Sequence, residues 1–586
     1  MENALRGINT YLNSKVRNCE LTDEVRREAA KAGPQGDGLR AHYASLERDP
    51  KSPKIYYLAA DCKGPHLLRC RPDGIDVLPF ASADREAVRH FAETINRAFL
   101  PRPQKDLSAV AVGNRHPEIS LPAAFDAFGK ILAAKGVNMA STVQLSATRE
   151  MTTDERLASR SGENPTEIGH TRVSIEHLYH AGLWAAIRAG WRAGYNAEAD
   201  HFIISGASDA EIARSIDQTK AAIRAATGYT KFTTDTSRLF RLEADTRHPR
   251  AWNDAEVERE FERILSPEER SWVLSEFSRP FPIAGRTYSF SPAEICRLAV
   301  KFSQSLKLNE QLFDYIQQAK RESGRAVEFD FEPSIDEADT LTTARELIFY
   351  MHWLAARGRR AQLVPPNLGF KKRQAYPETS DALAAYVAHK MWPELLPRVK
   401  SEFGGRPVEE LGARVRELAE VARFFDGTLS IHSGSGKQAA VLQMIGHSTG
   451  GRVNYKISGE LQLQLLDVLS EQPAGSPWRK LYERMVDRCV EFAAAGAFGE
   501  ESELARIYRG RGLAYSLGDR RKGRVDGNLF LVFWIGNLVG SRDTADPGGD
   551  QRFFKEKLDE LPADLLQEVQ RRNSEYIVWL AEQLLA

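Results

Sequence analysis

The sequence predicts an α/β protein whose main body is a (β/α)8 barrel, residues 136–586, with an α+β subdomain at residues 1–135 and a helical C-terminal segment. Three observations lead there. From about residue 140 strand-like and helix-like segments alternate, joined by short turns. Such β-α-β units need parallel strands with right-handed crossovers, which leaves a closed barrel or a doubly wound sheet. No strand is followed by a dinucleotide-type GxGxxG, and ionisable residues gather at strand ends, where barrel enzymes keep their chemistry, so the barrel is favoured.

Taken in order, KIYYLAADC and GIDVLPF have the β-branched and aromatic content of strands. ADREAVRHFAETINRAFL has helical spacing at Val88, Phe91, Ile95 and Phe99. The charged, Gly- and Pro-bearing stretches Lys31–Pro53 and Leu100–Pro122 read as loops bracketing this unit. Further on, Ala197–Ser205 reads as a buried strand, and Ser208 to Glu211 has capping-box spacing for a helix with an Ile212, Ile216, Ile223 stripe, stopped by Gly228 as a C′ glycine. YTKFTTD, AVEFDFE, RAQLVPP, TLSIHSGSG and GRVNYKIS read as later strands, with TLTTARELIFYMHWLAARG, VEELGARVRELAEVARFFDG and KQAAVLQMIG as helices between them. The most apolar window, Leu529–Gly540, is too short for a membrane span and reads as a buried strand.

Lys plus Arg and Asp plus Glu number 80 each, so nothing in the charge balance points to nucleic acid or an anionic membrane. A homo-oligomer is compatible with the sequence. Five scattered cysteines (Cys19, Cys62, Cys70, Cys296, Cys489) without a CxxC pair fit reduced thiols, and the start carries no signal-peptide core, so the expectation is a cytoplasmic protein.

Three strand ends carry the candidate chemistry. In EADH, Glu198 and Asp200 share a face and His201 points away unless the strand has ended. An ion-paired rim is the plain reading; an acid/base group beside a metal ligand is the functional one. In VEFDFEPSID, Glu328, Asp330 and Glu332 alternate onto one face with Asp336 beyond, as they would on a solvated edge strand or around a cation. SIHSGSG puts Ser430 and His432 on one face before a turn suited to close ligand approach. Imidazoles with oxygen donors suit zinc, manganese, nickel or iron better than calcium. GSGKQ lacks the first glycine and the Ser/Thr of a phosphate-binding loop, with Ile431 and Gln438 in those places, and the basic run Arg509–Arg524 reads as a solvated loop.

GYNAEADHFI, GYTKFTTDTS, the ExSxDE pattern in EPSIDE, LSIHSGSGK and STGGRVNYK together resemble the tagaturonate epimerase family, in collinear order over roughly residues 140 to 470. The resemblance implies a metal-dependent isomerase acting on tagaturonate and fructuronate, or on the neutral ketohexoses fructose and tagatose. It makes Asp200 the proton acceptor, Glu332 the proton donor, and His201, His432 and Gln374 metal ligands. Arg149 in LSATRE is the candidate for a substrate carboxylate because its planar fork grips such groups bidentately. Lys456 is placed to neutralise oxyanion charge, and Asp235 and Asn454 complete the expected substrate-side set. Two positions depart from the family pattern: Gly436 replaces an acid and Asn454 a histidine. The two ketouronates differ at the carbon β to the ketone, which simple enolisation cannot invert, so the expected route is retro-aldol cleavage and re-addition. A metal-dependent aldolase, a ketose isomerase and a non-catalytic sugar-binding barrel stay open as alternatives.

Overall fold

The computed structural model describes residues 2–36, 38–62, 64–78, 85–113, 116–144, 174–336, 338–371, 375–387, 392, 394–434, 436–494 and 549–586. Four strands, β1 (Arg40–Arg48), β2 (Ile55–Asp61), β3 (Gly64–Arg71) and β4 (Gly74–Val77), form an antiparallel meander near the N-terminus. One face packs Leu46, Ile55 and Leu68 on the helices Glu2–Tyr11 and Asp23–Ala32; the other packs Leu58 and Leu67 on Val88 and Phe91 and on Leu183 and Ile187 of the helix Ile175–Ala189. β1 lies inside the Lys31–Pro53 stretch expected to be a loop. Its sequence RAHYASLER alternates buried and partly exposed residues, but the buried set includes Ala41 and Ser45, so apolar periodicity alone understates it.

The barrel strands are β5 (Ala109–Gly113), β6 (Ala140–Gln144), β7 (Asn196–Ile203), β8 (Lys231–Asp235), β11 (Asp330–Ser334), β12 (Leu363–Val364), β13 (Thr428–Ile431) and β14 (Val453–Ile457); the hairpin of β9 (Phe281–Ile283) and β10 (Arg286–Tyr288) is an insertion between β8 and β11. The eight run parallel in sequence order around the circle, with β14 paired to β5. Between β11 and β12 the ring is completed by Gln362 N donating to Phe331 O (2.9 Å) and Ile335 N to Pro365 O (3.3 Å). This is the (β/α)8 arrangement that the alternation predicted. β5 and the helix Pro117–Lys135 belong to the barrel, whereas the sequence reading placed residues up to 135 in the N-terminal unit and Leu100–Pro122 in a loop. AVAVG is too short and too small-sided to announce a strand. β12 is also shorter than RAQLVPP suggested, since Pro365 and Pro366 cannot donate to a neighbour.

Most of the outer helices follow expectation. Ser208 and Glu211 form the capping box of the helix Asp209–Ala225, and Thr343 and Glu346 that of Ala344–Ala356. Gly228 is not the C′ residue: the helix ends at Ala225, and Gly228 is small because a Cβ there would meet the Tyr179 ring at 2.8 Å. The last helix, Ala563–Leu584, buries Ile577, Leu580, Ala581 and Leu584 in the barrel's main core and rests on Pro117–Lys135, on Ala439–Thr449 and on β5. Leu529–Gly540 and Arg509–Arg524 lie outside the described residues, and no described helix is long and apolar enough to cross a membrane. Cys19, Cys62, Cys70 and Cys296 form no disulfide.

Candidate active site

Alternation along each strand sends Asn196, Glu198 and Asp200 of β7, Lys231 and Thr233 of β8, Asp330 and Glu332 of β11, Ser430 of β13, and Asn454 and Lys456 of β14 into the barrel. Barrel interiors are ordinarily filled by branched aliphatic side chains. Here the filling is ionic and arranged in tiers. At the N-terminal end, Asp330 accepts from the backbone N–H of Gln104 (2.9 Å) and Lys105 (2.6 Å) and from Asn196 Nδ2 (2.7 Å). Burial and the neighbouring Asp106 push its carboxyl up to about 6 against those bonds. Asp330 thus closes the barrel floor and does not face the mouth. Glu328, expected beside it, is exposed ahead of the strand.

One tier higher, the fully buried Lys231 ammonium lies 2.9 Å from Glu198, 2.9 Å from Glu332 and 3.2 Å from Asp106. Above it, Lys456 Nζ reaches Asp200 (2.8 Å), Glu332 (2.7 Å) and, more closely, Glu198. Burial resists ionisation of all these groups, and its effect prevails at Glu198, whose carboxyl is raised. At Asp200 the charges of His201 and Lys456, and at Glu332 those of Lys231, Lys456 and His432, outweigh burial and hold both carboxyls well below the usual range. The three carboxylates correspondingly raise Lys456.

At the C-terminal mouth, β7 carries a bulge: Ala199 pairs with Phe232 and Phe202 with Thr234, so three steps on β7 answer two on β8. The bulge places His201 at φ +55, a conformation non-glycine residues rarely adopt. It brings the ring to the same side as Asp200, with Nδ1 2.6 Å from Asp200 Oδ1. The question left open by strand alternation is thereby answered. His432 Nε2 lies 2.6 Å from Glu332, its Nδ1 3.5 Å from Asp336, and its ring centre 5.0 Å from that of His201. Burial and Lys456 lower His432, but Asp336 and Glu332 overcome them and raise it to about 9.

His201, Asp336 and His432 each offer a donor atom within 4.8 Å of the others'. Two imidazoles and a carboxylate suit a borderline divalent cation. Among the described residues, five carboxyl groups, those of Asp106, Glu198, Asp200, Glu332 and Asp336, face two lysines, Lys231 and Lys456, besides the imidazoles of His201 and His432. Asp336 was noted in the sequence only as one of a row of acids. Its place in ExSxDE, beyond the strand end, is the signal that makes it a donor. Lys231 was missed altogether; a lysine at an inward position of KFTTD is the trace it leaves.

Asp235 ends β8 in phase with Lys231 and Thr233 and accepts from Ser237 N (3.1 Å) and Ser237 Oγ (2.5 Å). Asn454 is fully buried one pleat below Lys456 and donates to Ser430 Oγ (2.9 Å). Gly436 stands at φ +79, where an acid would be strained. Arg149 and Gln374 lie outside the described residues. A small cavity opens at the mouth, lined by Asp336, His432, Ser433, Pro366, Asn367 and Phe370 among others.

Residues 138–372 match the model of the tagaturonate epimerase family. The stretch runs from just before β6 into the loop after β12, so it takes in Asp200, His201, Glu332 and Asp336 and stops short of His432 and Lys456. A curated tagaturonate/fructuronate epimerase of Thermotoga maritima is 23% identical over 288 residues, 49% of this chain and 49% of that protein. The chain thus aligns with about half the length of this tagaturonate epimerase relative. Crystal structures of a fructuronate-tagaturonate epimerase from Cohnella laeviribosi superpose with TM-scores of 0.60 for the native form and 0.61 for a glycerol complex. Each comparison has 18% identity and covers 96% of this chain and 99% of that one. The shared fold therefore extends well beyond the aligned tagaturonate epimerase sequence.

Proposed function

We propose that this chain is a metal-dependent epimerase that interconverts tagaturonate and fructuronate, by retro-aldol cleavage and re-addition at the carbon β to the ketone. The observation that carries the reading is the mouth itself: a His201, Asp336, His432 donor set adjoining two buried, ionised carboxylates that share one lysine. The family match and the curated relative support the substrate pair, and the neutral ketohexoses are the related alternative.

His201, His432 and Asp336 would hold the cation. When bound, it supplies Lewis-acid polarisation of the ketone and the adjacent hydroxyl. Asp200, held as a carboxylate, takes the β-hydroxyl proton; the carbon–carbon bond breaks and its electron pair moves toward the ketone. Lys456 faces the developing negative charge. The aldehyde fragment turns over and the bond re-forms on its other face, leaving an alkoxide that needs a proton. Glu332, joined to Asp200 through Lys456, returns the proton that Asp200 took, so the cycle closes without net proton change while Lys456 stays an ammonium. Positioned acid/base groups of this kind typically contribute about 10²–10⁴-fold.

The test is to incubate chelator-stripped protein with fructuronate, tagaturonate, fructose and tagatose, with and without zinc, manganese, nickel or iron, and to resolve products by chromatography. Metal-restored interconversion of an epimer pair, lost in Asp200→Asn, is the expected result. Free cleavage fragments would make it an aldolase, and an aldose product a ketose isomerase. Sugar binding without turnover would leave a binding barrel.

A further inference from the structure

The chain between Pro365 and Thr379 has no regular secondary structure over its described residues, yet Pro366, Asn367, Leu368 and Phe370 form the cavity wall opposite His432 and Ser433. A buried wall of that kind keeps its shape only if other groups satisfy its backbone. Its first half is held from the β11 side and the outer ring: Asn367 N donates to Thr342 Oγ1 (2.8 Å), Thr342 N to Asn367 O (3.0 Å), and Arg414 Nη2 to Leu368 O (2.9 Å).

The second half is held from the other side of the cavity by two consecutive residues. Lys437 Nζ donates to Lys371 O at 2.9 Å and lies 5.0 Å from the centre of the Phe370 ring, with the residue 5% exposed. The side-chain amide of Gln438 makes a two-bond match to one residue, accepting from Tyr376 N (2.9 Å) and donating to Tyr376 O (2.6 Å). A glutamine amide has one acceptor and one donor side, the pair a neighbouring strand would offer. Lys437 and Gln438 follow the turn that leads away from His432 and Ser433. The two walls of the cavity are therefore tied at this dipeptide.

We propose that Lys437 and Gln438 are positioning residues, Gln438 foremost, that lock the loop after β12 to the end of β13 and so set the spacing between Phe370 and the His432 edge of the sugar site. The sugar part rests on the proposed epimerase reading; the locking does not. Gln438 gives no side-chain cap to the helix Ala439–Thr449, so replacing it leaves that helix start as it is.

The experiment compares wild type, Gln438→Ala, Gln438→Glu and Lys437→Met by hydrogen exchange with mass spectrometry on chelator-stripped full-length protein, and then, with divalent metal restored, by steady-state kinetics on the ketouronate pair. Glutamate keeps the acceptor but sets a carboxylate against Tyr376 O, so it tests the donor alone. Both Gln438 variants are expected to exchange about tenfold faster in peptides spanning 366–378, with the barrel strands unchanged. KM is expected to rise about tenfold while kcat stays within about threefold, the pattern of lost binding geometry. Lys437→Met, which keeps the stem over Phe370, is expected to show a smaller change of the same sign. Unchanged exchange in both Gln438 variants overturns the lock, and faster exchange with unchanged KM overturns its role in the site. If wild type turns over neither ketouronate, the epimerase reading and the site role that rests on it fail together, while the exchange data still decide the lock.

Discussion

Replacing Lys456 with methionine removes a cation that touches Glu198, Asp200 and Glu332 at once. At the 2.8 Å separation from Asp200, and with an effective dielectric near 20, a single contact has a gross attraction of about 6 kcal/mol. Methionine avoids the cost of burying an ammonium, and a stranded carboxylate can take up a proton. The net loss should therefore be the ~3–5 kcal/mol typical of breaking a buried pair from one side. Guanidinium denaturation at pH 8 and pH 5 reads it. Lys456 is raised in the folded protein, so its contribution is present below the unfolded lysine value of ~10.4 and is constant across this window. The variant instead improves as pH falls, because its uncompensated carboxyls can protonate, and the gap to wild type narrows toward pH 5. Lys456→Met/Glu198→Gln should recover ~1 kcal/mol or more at pH 8 by deleting one stranded charge. A single variant within ~1 kcal/mol of wild type at pH 8, or a gap that widens at pH 5, would refute the charge-balance account.

At the barrel floor, the Asp330 carboxyl is raised to about 6, so the stability of its protonated form is complete below ~4 and lost as pH rises through 6. The unfolding free energy of Asp330→Asn, which cannot titrate, should move relative to wild type in the variant's favour by ~2 kcal/mol between pH 4 and pH 7; a pH-independent difference would contradict this. His201→Gly relieves the φ of +55 but deletes the bond to the buried Asp200 carboxylate, so a net loss of ~1–3 kcal/mol is expected together with lost metal uptake in a manganese titration; unchanged or raised stability would show that the strain outweighs that bond. Leu580→Ala, at a fully buried position of the last helix, should cost ~2–5 kcal/mol in denaturation, and a loss below ~1 kcal/mol would mean that helix packs loosely on the barrel.

The alternation of β7, β8, β11, β13 and β14 with their helices was legible because those strands couple β-branched or aromatic residues to clear caps, as at Ser208 and Thr343. β1 and β5 were not, for opposite reasons. β1 hides among polar residues, whereas β5 is five small residues without a flanking cap. At the site, Asp200, Glu332, His201 and His432 could be picked out as ionisable residues at inward strand positions or strand ends. What the sequence could not convey was distance between strands. That Lys231 and Lys456 lie in successive tiers, sharing Glu198 and Glu332, depends on barrel register; so does the distinction between Asp330 on the floor and Asp336 at the mouth.

The helix Ala563–Leu584 rests on β5, the first barrel strand, across some 450 residues of intervening chain. During synthesis that strand and the helix Pro117–Lys135 emerge early, and the surface that Ala563–Leu584 covers on them stays open until this helix has been made. Contacts of such sequence separation are slow to form and leave apolar surface open meanwhile. A shortened chain lacking this helix should therefore fail by aggregating, with the side chains of the barrel mouth all present and never assembled.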